Sequence, residues 1–209
     1  MKNPAAVTLA KLAHASMTPD ERVARARKAV QTRWDKTKTK SALYVGVDPG
    51  LDGAIAVLNE HGDLVNVQDT PTLTVKRSGG KKRMYLPAQM MMIADAIDKA
   101  GEVRLCAIEN VHVMPKNGAH SAFGLGRSLG LWEMTAVSLG WPVEWLDPGK
   151  WKKAMLGAGS GSDKQASIAR AQQLFPASAE FLQLKKHDGR AEAILIAEFV
   201  RRISTQKEA

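Results

Sequence analysis

The chain has 209 residues, 44% of them hydrophobic, with one cysteine and a formal net charge of +9. That size allows one ordinary domain with its own core plus an appendage. A single cysteine excludes a disulfide framework or a thiolate metal site, and no apolar run approaches the roughly 20 residues that cross a bilayer.

Positive charge gathers at the start, where residues 1–40 hold ten Lys and Arg against three Asp and Glu, +7 of the total +9. Thr18-Pro19-Asp20-Glu21 reads as a capping box, with Thr18 as N-cap and Glu21 reaching back to it. The predicted helix sets Val23, Ala26, Val30 and Trp34 on one stripe, with Arg25 and Lys28 elsewhere on its surface. Residues 5–15 predict a further short helix, and Lys36 to Lys40 reads as a linker. A basic, alanine-rich start suits a transit peptide, but Asp20, Glu21 and Asp35 argue against one. Residues 1–40 are therefore expected to form a basic helical extension that touches DNA phosphates through Arg25 and Lys28, and residues 41–209 a separate domain.

From residue 42 the pattern becomes α/β. Leu43–Val47, Ala54–Leu58 and Leu64–Gln68 predict three antiparallel strands. A basic loop from Lys76 to Arg83, including Lys81, Lys82 and Arg83, leads to a helix over Pro87–Lys99. Val103–Ile108 contains Cys106 and is apolar enough to be a central strand. Ser121–Leu139 predicts a long helix despite Gly124, Gly126 and Gly130, with Gly140 as its C-cap. Each internal glycine costs about 1 kcal/mol relative to alanine, so close packing against a sheet or a twin helix is expected there. A strand over Pro142–Leu146 follows, then helices over Pro148–Leu156, Asp163–Phe175 and Asp188–Ile203.

Four acids stand where this pattern meets solvent. Asp48 and Glu109 each end a predicted strand, while Asp188 and Glu192 lie four apart on one helix face. If the two strands are neighbours, all four meet at one sheet edge. Grouped carboxylates are costly unless a cation compensates them, and hard cations such as Mg²⁺ take oxygen ligands. Such a cluster would suit two Mg²⁺ ions about 3.5–4 Å apart, clamping the oxygens of an in-line phosphoryl displacement. An acidic cup in a basic chain fits an enzyme that cuts nucleic acid.

The ordered segments Val45-Gly-Val-Asp48-Pro-Gly50, Ala107-Ile-Glu109-Asn-Val111, Lys116-Asn117, Leu125-Gly-Arg127-Ser-Leu-Gly130, Pro142-Val-Glu-Trp-Leu146, Asp163-Lys164 and Asp188-Gly-Arg-Ala-Glu192 resemble the RuvC-type Holliday-junction resolvases. The similarity is to a divergent, phage-like branch of that group within the ribonuclease H-like superfamily, and it covers residues 42–203. It implies a ribonuclease H-like, five-stranded mixed sheet flanked by helices. It also implies a homodimeric endonuclease, dependent on Mg²⁺ with Mn²⁺ able to substitute, that nicks a four-way DNA junction in pairs within a bacterial or phage-infected cytoplasm.

The same resemblance implies Asp48, Glu109, Asp188 and Glu192 as metal ligands and Lys152 and Lys164 near the scissile phosphate. His112, Lys116 and Arg127 are implied DNA contacts, and Lys81, Lys82 and Arg83 of the basic loop are further candidates for contacting DNA. Two departures stand out. The last two acids are four apart rather than three, which makes His187 a secondary ligand candidate. His112 takes the place of a stacking aromatic, a poorer platform for a base. A nuclease for other branched DNA and a non-catalytic junction binder remain alternatives. An actin-like or sugar-kinase ATPase is disfavoured because it would duplicate the domain.

Overall fold

The computed structural model describes Thr18, Glu21, Ala24 and residues 40–77, 80–112, 118–157 and 164–208. The chain divides into two units, Met1–Lys40 and Ser41–Ala209. In the first, the Thr18 N–H donates to Glu21 Oε2 at 2.8 Å and the Glu21 N–H donates to Thr18 Oγ1 at 3.3 Å. This is the reciprocal capping box that the sequence predicts. Arg25 and Lys28 lie outside the described residues.

The second unit opens with β1 (Ala42–Asp48), β2 (Ala54–Asn59) and β3 (Leu64–Asp69). It continues through β4 (Thr72–Arg77), β5 (Gly80–Tyr85), helix α1 (Pro87–Ala100), β6 (Glu102–Glu109) and helix α2 (Ala119–Ser138). After β7 (Val143–Leu146) come α3 (Pro148–Leu156), α4 (Lys164–Leu174) and α5 (Asp188–Glu208), with 3-10 turns at Pro176–Phe181 and Lys185–His187. The main sheet has the order β3-β2-β1-β6-β7. Strands β1 to β3 pair antiparallel, and β6 and β7 join parallel to β1. This is the five-stranded mixed sheet, three antiparallel strands followed by two parallel ones, that the resemblance implies.

Both faces of the sheet are covered. One packs Tyr44, Ala56 and Ala107 against Ile194, Ala197, Trp151 and Ile168 of the helices α5, α3 and α4. The other packs Val45, Val57, Cys106 and Ile108 against Met90, Ala94 and Ile97 of α1 and Trp132 of α2. Burial on both sides explains why β1, β2 and β6 read as continuous apolar runs rather than alternating ones. Among the described residues, no helix is long and apolar enough to cross a membrane.

Two expectations need correction. The predicted basic loop is a β-hairpin, a separate two-stranded sheet of β4 and β5 in which Lys76 faces Lys81 and Val75 faces Lys82. Thr72, Thr74 and Val75 favour extended backbone, a preference that the lysine density hides in the sequence. Of the two packings expected around the α2 glycines, the one against the sheet is also not found. A Cβ at Gly124, Gly126 or Gly130 would meet nothing within 4 Å. Helix α2 buries Ser128, Trp132, Thr135 and Ala136 on its core side. The C-cap prediction holds: Gly140 has φ +72°, its N–H donates to the Val137 carbonyl and that of Trp141 to the Ala136 carbonyl. These paired bonds form a Schellman motif.

Helix α5 rests directly on β1. A Cβ at Gly46 would lie 2.3 Å from the Ala193 carbonyl oxygen and 2.4 Å from the Ala197 nitrogen, so the two backbones touch. Farther along α5, the buried Glu198 accepts hydrogen bonds from Arg201 and Arg202. Burial alone would raise the Glu198 pKa, but the two guanidiniums outweigh it and hold the carboxyl below its usual range.

Gly46→Ala is expected to cost about 3 kcal/mol through overpacking. That corresponds to a fall in Tm of roughly 6–12 °C, readable by thermal denaturation. The Glu198 pairing contributes stability that is complete above the unfolded pKa of 4.5 and is lost as pH falls through the lowered folded value. Glu198→Gln should therefore lower Tm at pH 7 and flatten the acid limb below pH 4.5, as melting curves across that range would show.

Candidate metal centre

Strands β1 and β6 run parallel, with Val47 beside Ile108, so the next residues, Asp48 and Glu109, leave the sheet at the same carboxyl edge. Two glycines bring α5 to that edge. Gly46 admits the helix backbone, and Gly189 seats its first turn on the loop after β1. A Cβ at Gly189 would lie 2.3 Å from the Asp52 carbonyl oxygen and 3.0 Å from Asp48 Oδ2. Arg190 fixes the same turn, with two nitrogens donating to the Asp69 carboxylate at 2.6 and 2.7 Å and a third to the Phe181 carbonyl at 3.0 Å.

The result is a cluster in which one carboxylate oxygen from each of Asp48, Glu109 and Glu192 lies within 4.8 Å of the others. Asp188, at the start of α5, stands outside this trio, although its charge contributes to the raised pKa of Asp48. His187 also stands outside it. Its Nδ1 accepts the Leu184 N–H at 3.3 Å, and burial and the Arg190 charge lower its pKa.

Helix α3 supplies the counter-charge. The Asp147 carboxylate caps it by accepting the Lys150 N–H at 2.9 Å, with Pro148 in the first turn. This start projects Trp151 and Lys152 over the acids. Lys152 Nζ lies 3.1 Å from Glu192 and 3.7 Å from Glu109, and 5.1 Å from the Trp151 ring centroid. The buried Trp151 indole N–H donates to Glu109 Oε1 at 3.0 Å, and Ser167 Oγ of α4 donates to Glu192 Oε1 at 3.3 Å.

These contacts set the electrostatics. Burial, then the Glu192 and Glu109 charges, push the Asp48 pKa well above its ordinary value, while Lys152 pulls the other way. Burial likewise raises Glu109, with Lys152 partly opposing it. Burial acts to lower the Lys152 pKa, but Glu192 and Glu109 outweigh it and raise the net value. Three acids and one ammonium thus share a partly dry pocket that is short of positive charge. Hard oxygen donors converging in this way are the donor set that a divalent cation takes.

The basic candidates fall in several places. Lys81 and Lys82 are exposed on β5, Arg127 is exposed on α2, and His112 is exposed beyond β6. Arg83 is engaged with the turn after β1, donating to the Asp52 carboxylate, the Leu51 carbonyl and Thr72 Oγ1. Lys164 opens α4, and Lys116 lies outside the described residues. Sequence reasoning missed Trp151, Ser167 and Ser128, whose Oγ accepts the Gly50 N–H at 3.0 Å. Only the Asp147-Pro148 cap hints that α3 starts at this edge.

Over 109 residues the chain is 34% identical to the Holliday junction resolvase MOC1, chloroplastic, of Chlamydomonas reinhardtii. That match covers 50% of this chain and 12% of the relative, so the chain spans only a small part of that protein's length. The chloroplast location of that relative gives no support to a bacterial or phage origin. Among solved structures, T. thermophilus RuvC in complex with a Holliday junction substrate is 16% identical with a TM-score of 0.48, over 78% of this chain and 97% of that one. The yeast mitochondrial Holliday junction resolvase Ydc2 is 11% identical with a TM-score of 0.44, over 81% and 82% of the two chains. Residues 44–197 match the family model described as crossover junction endodeoxyribonuclease RuvC, and the chain belongs to that family.

Proposed function

We propose that this protein is a metal-dependent endonuclease that resolves four-way DNA junctions by paired nicks. The observation that carries the reading is the convergence of Asp48, Glu109 and Glu192 around a half-buried lysine at one sheet edge. Asp48, Glu109 and Glu192, with Asp188 beside them, would hold two Mg²⁺ ions, or Mn²⁺ in their place. Bound there, the ions would polarise the scissile phosphate and supply a hydroxide-like water near neutral pH.

The remaining roles belong to the chain's own groups. The Trp151 N–H fixes one Glu109 oxygen and Ser167 steadies Glu192, so both carboxylates are pre-oriented. Lys152, buttressed by Trp151, carries a positive charge that can turn from the acids to a non-bridging phosphate oxygen. Lys164, at the start of α4, is assigned to the same phosphate. Lys81, Lys82, Arg127, His112 and Lys116 would neutralise the flanking backbone, with Arg83 bracing the hairpin and Arg25 and Lys28 adding contacts from the extension.

Paired cuts need two active sites, and we assign them to a homodimer. The apolar exposure of Met134 (67%) and Val137 (56%) on α2 supports a partner on that helix. The lone cysteine, Cys106, is buried and free, which suits a reducing compartment.

The test is a labelled mobile four-way junction incubated with Mg²⁺ or EDTA, beside a Y-fork and linear duplex. Symmetric, Mg²⁺-dependent nicks confined to the junction are expected, and EDTA-resistant cleavage would overturn the metal mechanism. Glu109→Gln should cut at least about 100-fold more slowly, since loss of a mere supporting contact already costs 10–100-fold in metal sites. Stronger cutting of the Y-fork would mark a nuclease for other branched DNA.

Metal binding should also appear in stability. At about 100 times its Kd, Mg²⁺ contributes about 2.7 kcal/mol, a Tm rise of roughly 5–10 °C. Lys152→Met removes the resident counter-charge, so its metal-free Tm should fall and its Mg²⁺-induced rise should exceed that of the natural protein. A Mg²⁺ response no larger in the variant would show that Lys152 does not share the cation's place.

A further inference from the structure

A cleft of about 310 Å³ opens beside the turn that follows Asp48, between the β4–β5 hairpin and the first half of α2. Its floor is the buried Tyr85, whose hydroxyl donates to the Gly124 carbonyl at 3.3 Å and so ties the hairpin to the helix. Its rim holds Phe123, an aromatic ring left 74% exposed. Gly50 and Leu51, two and three residues beyond Asp48, line one part of it, and Lys82 and Arg127 line it as well. A Cβ at Gly124 would meet nothing within 4 Å, so a flat ring can approach the helix backbone there.

These features select their ligand. The exposed Phe123 ring favours a planar π-face, and the cations lining the cleft favour anions attached to it. The volume is at the small end for ligand pockets, with room for one ring system rather than a folded peptide. A base inside a duplex shows neither face to such a site. A base at a strand branch is the cheapest to unstack.

We infer that this cleft takes a single unstacked nucleobase of the strand to be cut. The base stacks on Phe123 above Tyr85, while Lys82 and Arg127 hold the phosphates on either side. The inference rests on the proposed action on branched DNA. It adds that the scissile phosphate is aligned by capture of a neighbouring base, through a wall continuous in sequence with Asp48. Gly50 transmits that alignment because its N–H is held by Ser128 of the same helix.

The test uses the full-length protein and four-way junctions carrying the fluorescent base 2-aminopurine at each position around the cut in turn, with Ca²⁺ in place of Mg²⁺. One position should brighten several-fold on binding. Phe123→Ala, at an exposed site, should abolish that rise and weaken junction binding roughly tenfold, the loss of one stacked base, while Phe123→Tyr keeps both. An abasic nucleotide at the responsive position should weaken the natural protein and leave Phe123→Ala unchanged. If Mg²⁺-dependent nicks appear while no position brightens, the base site is wrong and the nuclease reading stands. If no branched DNA is nicked, both fall together. If Phe123→Ala halves the solution mass and leaves fluorescence unchanged, the rim belongs to a second copy of the chain and the base site is overturned.

Discussion

The contact on which the rest depends is the backbone-to-backbone seating of α5 on β1. Gly46 on the strand meets Ala193 and Ala197 on the helix, and Gly189 meets the turn after Asp48. With side chains at either glycine, the helix would stand off and Glu192 would withdraw from Asp48 and Glu109. The absence of two methyl groups thus sets the width of the acid cluster. The same seating makes α5 a core helix, since residues Ala193 to Val200 are buried throughout.

A cluster of carboxylates at a sheet edge is electrostatically uphill, and the surrounding structure answers it in stages. Trp151 and Ser167 supply hydrogen bonds, and Lys152 supplies one positive charge against three acids. Burial first, and then the neighbouring carboxylates, keep the Asp48 pKa well above its ordinary value. A site held short of positive charge favours a divalent cation over water, because strain already present in the folded chain is relieved on binding. Stability and metal affinity are therefore opposed at this edge.

Much of this was legible in the sequence because the signals are local. Continuous apolar runs mark β1, β2 and β6, and an acid at the end of a run marks the edge where Asp48 and Glu109 emerge. Gly140 announces the end of α2 through chemistry confined to one turn. What escaped is non-local. Trp151 reaches Glu109 across 42 positions, and Ser167 reaches Glu192 across 25. Neither has a spacing that periodicity could detect. The β4–β5 hairpin escaped for another reason: lysines on a two-stranded ribbon carry none of the apolar alternation that reveals a strand with one buried face. The four-residue spacing of Asp188 and Glu192 was visible, but not that only the second would stand within the trio.

The assembly of the cluster also bears on the order of folding. Its members come from the end of β1, the end of β6, the start of α3 and the first turns of α5. They are separated by most of the domain, and two are joined by parallel pairing across a long connection. Such high-contact-order pairings form late, because loop-closure entropy is lost before they contribute stability. Before these pairings form the carboxylates stand apart in water, and the repulsion arises only once the rest of the core can bear it. The acids need no protection on the way to the native state, since topology itself postpones their meeting.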